Sequence, residues 1–217
     1  MSDRLELRIK NKAMYLLAER CIFFPENQTL VIADVHLGKA AHFRKAGIMI
    51  PQQAGTDQDF GMLQHVLDKY DAARIIFLGD LFHSSENEAW RHFVDFSDRH
   101  PHTELILIKG NHDVLPLAYY QQGNLTVHLE TLQEDFILYS HAPLPAVPPG
   151  LLNIAGHVHP AARLKAKGKQ TLRLPCFHLE TSLLLLPAFG SLTGTFALPK
   201  GNAQQFVTTG RAVLAVK

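Results

Sequence analysis

Five short apolar segments of the chain run directly into residue types that bind metal ions. In chain order the endings read ADVH, GDLFH, GNHD, SHAP and GHVHP. Carboxylate, amide oxygen and imidazole all bind divalent cations, and the carboxyl ends of strands in an α/β sheet meet in one crevice. We therefore expect these endings to form one site. The predicted ligands are Asp34, His36, Asp80, Asn111, His141, His157 and His159.

Seven oxygen and imidazole ligands are too many for one tetrahedral ion, so the set predicts two adjacent divalent ions. A donor set without thiolate suits manganese, with iron, zinc or nickel as alternatives. Asp80 is the predicted bridge, because a carboxylate is the protein group best able to join two cations. Water between two dications is acidified near neutral pH. The chemistry we expect is in-line attack of a metal-bridging hydroxide on a phosphate ester.

The hydrophobic pattern supplies the strands that would position these residues. Apolar runs predict a hairpin over 14–26 and buried strands at 30–33, 74–78, 104–108, 136–139 and 151–155. Amphipathic spacing predicts helices over 55–70 and 86–100. After residue 160 the chain shows shorter strands, at 171–180, 182–189 and 212–216, without a convincing helix. The first part of the chain therefore reads as α/β and the remainder as mostly β.

The bulk properties indicate one globular domain over residues 1–217. A net charge of +1 excludes a strong global field for steering polyanions. The two cysteines, Cys21 and Cys176, stand far apart and indicate neither a disulfide framework nor a thiolate zinc site. The sequence has no signal-peptide pattern and no apolar run of membrane-spanning length. We expect a cytoplasmic protein with no membrane association.

The ordered series D-x-H, G-D, G-N-H-D, H and G-H-x-H resembles the calcineurin-like metallophosphoesterase superfamily. That resemblance implies an α/β fold, a four-layer α/β/β/α sandwich of two mixed sheets flanked by helices. It implies that the first metal binds Asp34, His36, Asp80 and His159, and the second Asp80, Asn111, His141 and His157. It also implies that His112 faces the scissile phosphate and that Asp113 orients His112.

Basic residues near the ligands are candidates for substrate phosphate contacts. Lys39, His42 and Arg44 follow the first ligand segment, and His83 follows Asp80 by three residues. A solvated helix face explains Arg44 equally well, and a local turn explains His83. The segment 161–173 contains five basic residues and no acidic one, which fits either a phosphodiester-binding surface or a charged hairpin turn.

Two longer segments, ADVHLGKAAHFRKAGI and LPCFHLETSLLLLPAFGSLTGT, resemble the bacterial ligase-associated DNA damage response endonucleases. The resemblance implies a DNA phosphodiesterase that works beside a DNA ligase and a helicase. A small-molecule phosphodiesterase or pyrophosphatase, acting on nucleotides or on a lipid-linked diphosphate, is an open alternative. A non-catalytic scaffold of the same fold is a further one, although its ligand positions would be expected to be lost.

Overall fold

The computed structural model of the chain describes residues 2–50, 56–83, 88–165 and 170–216. The strands and helices follow one another as β1 (Arg4–Ile9), β2 (Lys12–Leu17), β3 (Ile22–Phe24), β4 (Thr29–Ile32), α1 (Lys39–Lys45), α2 (Thr56–Tyr70), β5 (Arg74–Leu78), α3 (Glu88–Arg99), β6 (Glu104–Ile108), α4 (Leu117–Gln122), β7 (Leu125–His128), β8 (Thr131–Glu134), β9 (Ile137–Ser140), β10 (Leu152–Ala155), β11 (Pro160–Lys165), β12 (Thr171–Leu179), β13 (Leu183–Leu185), β14 (Phe196–Ala197), β15 (Gln204–Thr208) and β16 (Val213–Ala215).

The first sheet has the strand order β1-β2-β3-β4-β5-β6-β7. Strands β1 to β4 pair antiparallel, whereas β4, β5, β6 and β7 pair in parallel, with Leu30 opposite Ile75 and Ile75 opposite Leu105. Parallel pairing places the carboxyl ends of β4, β5 and β6 side by side. Three of the predicted ligand segments therefore begin at one edge of this sheet.

The second sheet has the order β14-β11-β12-β13-β10-β9-β8, and β15 joins β12 and β16 beside this path. Strands β9 and β13 flank β10 in parallel, so Ser140 lies opposite Ala155 and Ala155 opposite Leu185. The pairs β8–β9, β11–β12 and β12–β13 are antiparallel. The two remaining ligand segments follow β9 and β10, which end side by side.

Alternation along the strands divides the core into two layers, because successive side chains of a strand point to opposite faces. Val31 and Ile76 face the second sheet, where they join a buried cluster with Tyr139 and Ile154. On the opposite face, residues of β4, β5 and β6 pack against α2, α3 and α4 in a second buried cluster. Each large apolar side chain buried in this way contributes about 1.5–3 kcal/mol.

The fold confirms the predicted sandwich of two mixed sheets flanked by helices. The predicted hairpin, the five strands that carry ligands and both amphipathic helices are present, except that residues 55, 86 and 87 lie outside the described ones. The sequence patterns did not predict β1, β7, β8, β11, β14, β15 or α4. None of the described helices is long and apolar enough to cross a membrane.

Candidate metal centre

The structure brings the predicted ligands of both sheets together. Asp34 Oδ1 lies 3.4 Å from His159 Nε2, and His36 Nε2 lies 3.6 Å from Asp80 Oδ2. Asp80 Oδ1 in turn lies 3.5 Å from His141 Nε2. The remaining two ligands, Asn111 and His157, both approach His141 Nε2. This nitrogen is 2.9 Å from Asn111 Oδ1 and 3.0 Å from His157 Nδ1.

These residues form two groups that share one border. The ligand atoms of Asp34, His36 and His159 lie within 4.8 Å of one another, and so do those of Asp80, His141 and His157. Asp80 stands at the border, with one carboxylate oxygen toward His36 and the other toward His141. This is the position that the predicted bridging role of Asp80 requires.

The donor atoms of the first group fit a cation, because they are buried without a hydrogen-bond partner among the described residues. The atoms are Asp34 Oδ1, His36 Nε2 and His159 Nε2. A buried polar atom without a partner costs about 1–3 kcal/mol. A divalent ion among the three atoms would satisfy all of them at once, so the residues fit the metal that the sequence predicts.

The backbone at the ligand positions is strained. Five ligands have left-handed φ angles, which cost non-glycine residues of the order of 1–3 kcal/mol each. They are Asp34 (55°), His36 (52°), Asp80 (50°), His157 (65°) and His159 (52°). Long-range hydrogen bonds hold this conformation, since the His36 N–H donates to Asp80 O at 2.9 Å and the Asp34 N–H to Gly79 O at 3.3 Å. The fold, and not local preference, fixes where the ligands point.

Two glycines leave space for the ligand carboxylates. A Cβ on Gly156 would lie 2.6 Å from Asp34 Oδ2, and a Cβ on Gly110 would overlap Asp80 N and Oδ1. No real Cβ approaches other atoms so closely. These two positions explain why the GNHD and GHVHP segments each begin with glycine.

The His141 ring is held in a fixed orientation. Its Nδ1 lies 2.9 Å from Leu78 O, and because a carbonyl can only accept, Nδ1 carries the proton and donates it. The lone pair of Nε2 then points toward Asp80 and Asn111. A bond of this type fixes the tautomer of a metal-binding histidine.

His112 lies beside the metal centre, and its own N–H donates to Asp80 Oδ1 at 2.9 Å. The His112 ring centroid is 5.1 Å from that of His36. Asp113, which we expected to orient His112, is placed differently. Its carboxylate is buried and accepts from the Phe82 N–H at 3.1 Å and the Gly110 N–H at 2.9 Å, and burial raises its pKa to about 6. Asp113 therefore ties two ligand loops together, because its oxygens bind their backbone.

The basic residues expected at the substrate phosphate divide into two groups. His83 Nδ1 lies 3.5 Å from His36 Nδ1, and its ring stacks on that of His112 at 5.3 Å and meets that of His42 at 4.9 Å. Lys39 is half-buried, and burial lowers its pKa. Arg44 is exposed, and its Nε donates to Ile50 O at 3.4 Å. His83 and His42 thus lie in a chain of ring contacts that reaches His36, and Lys39 lies close enough to Asp34 and Asp80 to interact with their charges.

Burial and nearby cations hold the imidazoles at this side of the site neutral. Burial, followed by the charge of Lys39, lowers the pKa of His36 to about 2 and that of His83 to about 4. A neutral imidazole is the form that binds a metal ion. His36 therefore offers its lone pair throughout the pH range in which proteins are usually handled.

Sequence reasoning missed Asp59 of α2, which is 5% exposed and accepts a hydrogen bond from the Ser191 N–H at 2.8 Å. Burial raises its pKa to about 6, and its charge acts on Lys39. The sequence does contain a signal for this buried carboxylate. Asp59 stands four and seven residues before Leu63 and Val66, which places a carboxylate on the apolar stripe of the helix.

The sequence model of the calcineurin-like phosphoesterase family matches residues 28–159, so the chain belongs to that family. It is a metallophosphoesterase, and the family uses a dinuclear metal centre to hydrolyse phosphoesters. The chain is also similar to a solved structure, the Pseudomonas putida nuclease MPE. The two share 28% identity and a TM-score of 0.81, over 98% of this chain and 100% of that chain. None of the curated proteins matches the chain.

Proposed function

We propose that the protein is a manganese-dependent DNA phosphodiesterase that cuts within a DNA strand. The observation that carries the proposal is the full-length similarity to a nuclease, combined with the complete set of metal ligands. The resemblance to ligase-associated endonucleases adds a repair role in the cytoplasm, beside a DNA ligase and a helicase. Residues 1–217 act as one domain in this proposal.

The metal ligands keep the roles that the resemblance implies. Asp34, His36 and His159 would hold one ion, Asn111, His141 and His157 would hold the other, and Asp80 would serve both. When bound, the ions would supply Lewis acidity toward phosphate oxygens and lower the pKa of water. Manganese suits this mixture of oxygen and imidazole donors.

The chain's own residues then complete the reaction. His112 stands beside Asp80 and donates a proton to the leaving oxygen, which is the task of a general acid. The cation of Lys39 and the imidazoles of His83 and His42 lie on one side of the centre, where they bind the non-bridging phosphate oxygens and the adjacent nucleotide. Asp113 keeps the loops of Asp80 and His112 in register through its two backbone bonds.

The openness of the site favours a polymer over a small molecule. Asn111 and His157 are exposed, so one side of the centre is open to solvent. A nucleotide hydrolase usually encloses its substrate in a pocket. A non-catalytic scaffold is disfavoured because every ligand position is filled.

The test compares substrates with the manganese-loaded protein. They are bis(p-nitrophenyl) phosphate, p-nitrophenyl phosphate, ATP, circular single-stranded DNA and duplex DNA. We expect cleavage of the diester and of circular DNA, both lost in His112→Ala and retained in His102→Ala, an exposed histidine in the turn before β6. Fast ATP hydrolysis without cleavage of any DNA would overturn the DNA assignment. Inactivity on all substrates, with substoichiometric metal, would support the scaffold.

A further inference from the structure

The hairpin of β11 and β12 pairs two arginines directly. In its register Arg163 lies opposite Arg173, and Lys165 lies opposite Thr171. Like charges directly opposite each other destabilise a pair of strands. We call Arg163, Lys165 and Arg173 the hairpin basic face.

The alternation of the strands keeps these cations in solvent. Their neighbours Ala162, Leu164 and Leu174 belong to a small apolar cluster with Cys176 and Val207 on the other side of the strands. The three cationic side chains are exposed. Turning either strand over to separate the charges would expose the apolar cluster, so the register keeps the charges together.

Among the described residues, this face has no acidic partner. Residues 160–179 contain neither Asp nor Glu, and no ion pair that the described residues form involves Arg163, Lys165 or Arg173. Two cations of the first sheet, in contrast, are paired with carboxylates. Arg74 of β5 makes two bonds of 2.7 Å to Glu134, and Lys12 of β2 lies 2.8 Å from Asp135. The contrast points to an external anion.

The hairpin basic face continues the metal centre. Strand β11 begins at Pro160, directly after the ligand His159. At about 3.3 Å per residue, Arg163 lies about 13 Å along the chain from His159. A nucleic-acid strand carries one phosphate per about 3.4 Å of helix axis, so this distance corresponds to about four nucleotides.

We propose that the hairpin basic face binds phosphates of a nucleic-acid strand a few nucleotides from the bond that is cut. The inference rests on the proposed function and adds a substrate-binding surface to it.

The test uses Arg163→Gln with Arg173→Gln in the manganese-loaded enzyme. For a 30-nucleotide single-stranded DNA we expect KM to rise roughly tenfold, and the slope of log affinity against log salt to fall by about 1.4, or 0.7 per lost contact. Turnover of bis(p-nitrophenyl) phosphate should stay unchanged, because the small diester does not reach the hairpin. The thermal midpoint should not fall, because the variant removes a pair of like charges that face each other.

The matched control is Arg8→Gln with Arg99→Gln, which removes the same charge from exposed positions in β1 and at the end of α3. Equal KM and salt slope for the hairpin variant and this control would overturn the inference while the proposed function stands. Wild-type protein that cleaves only the small diester would instead overturn the DNA assignment.

Discussion

The two halves of the metal centre place their donor atoms in different surroundings. In the first half, Asp34, His36 and His159 each keep one buried donor atom without a hydrogen-bond partner among the described residues. Asp34 is fully buried and His36 nearly so. A cation is the group that would satisfy all three atoms.

The second half is more open to solvent. Asn111 and His157, whose ligand atoms lie 2.9 and 3.0 Å from His141 Nε2, are exposed. An ion that binds here must first replace the water around these side chains. A cation stabilises a buried site whose atoms lack hydrogen-bond partners more than it stabilises a solvated site. We therefore expect the first half to bind its ion more tightly.

The largest effect should come from the residue that belongs to both halves. Asp80 stands between His36 and His141, so Asp80→Asn removes negative charge from both ions. We expect loss of both manganese ions and activity at background. Equilibrium dialysis with elemental analysis gives the stoichiometry, and circular dichroism gives the folding control.

Asp34→Asn is the matched variant for this experiment, because Asp34 belongs to the first half alone. It should lose one ion and keep the other. Two ions retained in Asp80→Asn would contradict the bridging role, and loss of both ions in Asp34→Asn would contradict the independence of the halves.

The next effect separates chemistry from metal binding. His112→Ala should keep both ions and lower turnover by about 10²–10⁴, the usual range for a general acid. Steady-state kinetics on bis(p-nitrophenyl) phosphate, with metal analysis of the same sample, measures both quantities. Loss of an ion in this variant would make His112 a ligand. His102→Ala controls for the removal of an imidazole elsewhere.

A smaller effect tests whether His83 serves the first half or the substrate. Its Nδ1 lies 3.5 Å from His36 Nδ1, which is the position of an outer partner for a metal-binding imidazole. On that basis His83→Ala should weaken manganese binding in the first half about 10–100-fold, and His83→Gln, which keeps an acceptor, should restore part of it. An increase in KM for the diester should accompany this loss, because His83 is also proposed to bind the substrate phosphate. An increase in KM with unchanged metal affinity would leave His83 the substrate role alone.

The sequence predicts the strands that end in candidate ligands, because an apolar run that ends in Asp, Asn or His is a local signal. It does not predict which half is buried. The left-handed backbone of His36 depends on a hydrogen bond to Asp80, 44 positions further along the chain. The bond of Asp113 to Phe82 joins residues 31 positions apart, so the sequence does not show it, whereas the bond to Gly110 is local.

The smallest effect concerns acid stability without metal. Burial lowers the pKa of His36 from 6.5 to about 2, so below pH 6.5 the unfolded chain binds a proton that the folded one does not. The free energy of unfolding therefore falls as pH drops. Asp59 and Asp113 act in the opposite direction, because burial raises the pKa of each to about 6 and the folded state takes up protons first.

Because Asp59 and Asp113 oppose the effect of His36, the pH dependence of the wild-type protein alone does not isolate the contribution of His36. His36→Asn should remove about 1.4 kcal/mol per pH unit from the slope between about pH 6 and 4, the value for one proton. Urea unfolding of chelator-treated protein at several pH values measures the slope. His102→Asn should leave it unchanged, because that side chain is exposed. An equal slope in wild type and His36→Asn would mean that His36 is hydrated in the absence of metal, and the contrast between a dry and a wet half would fail.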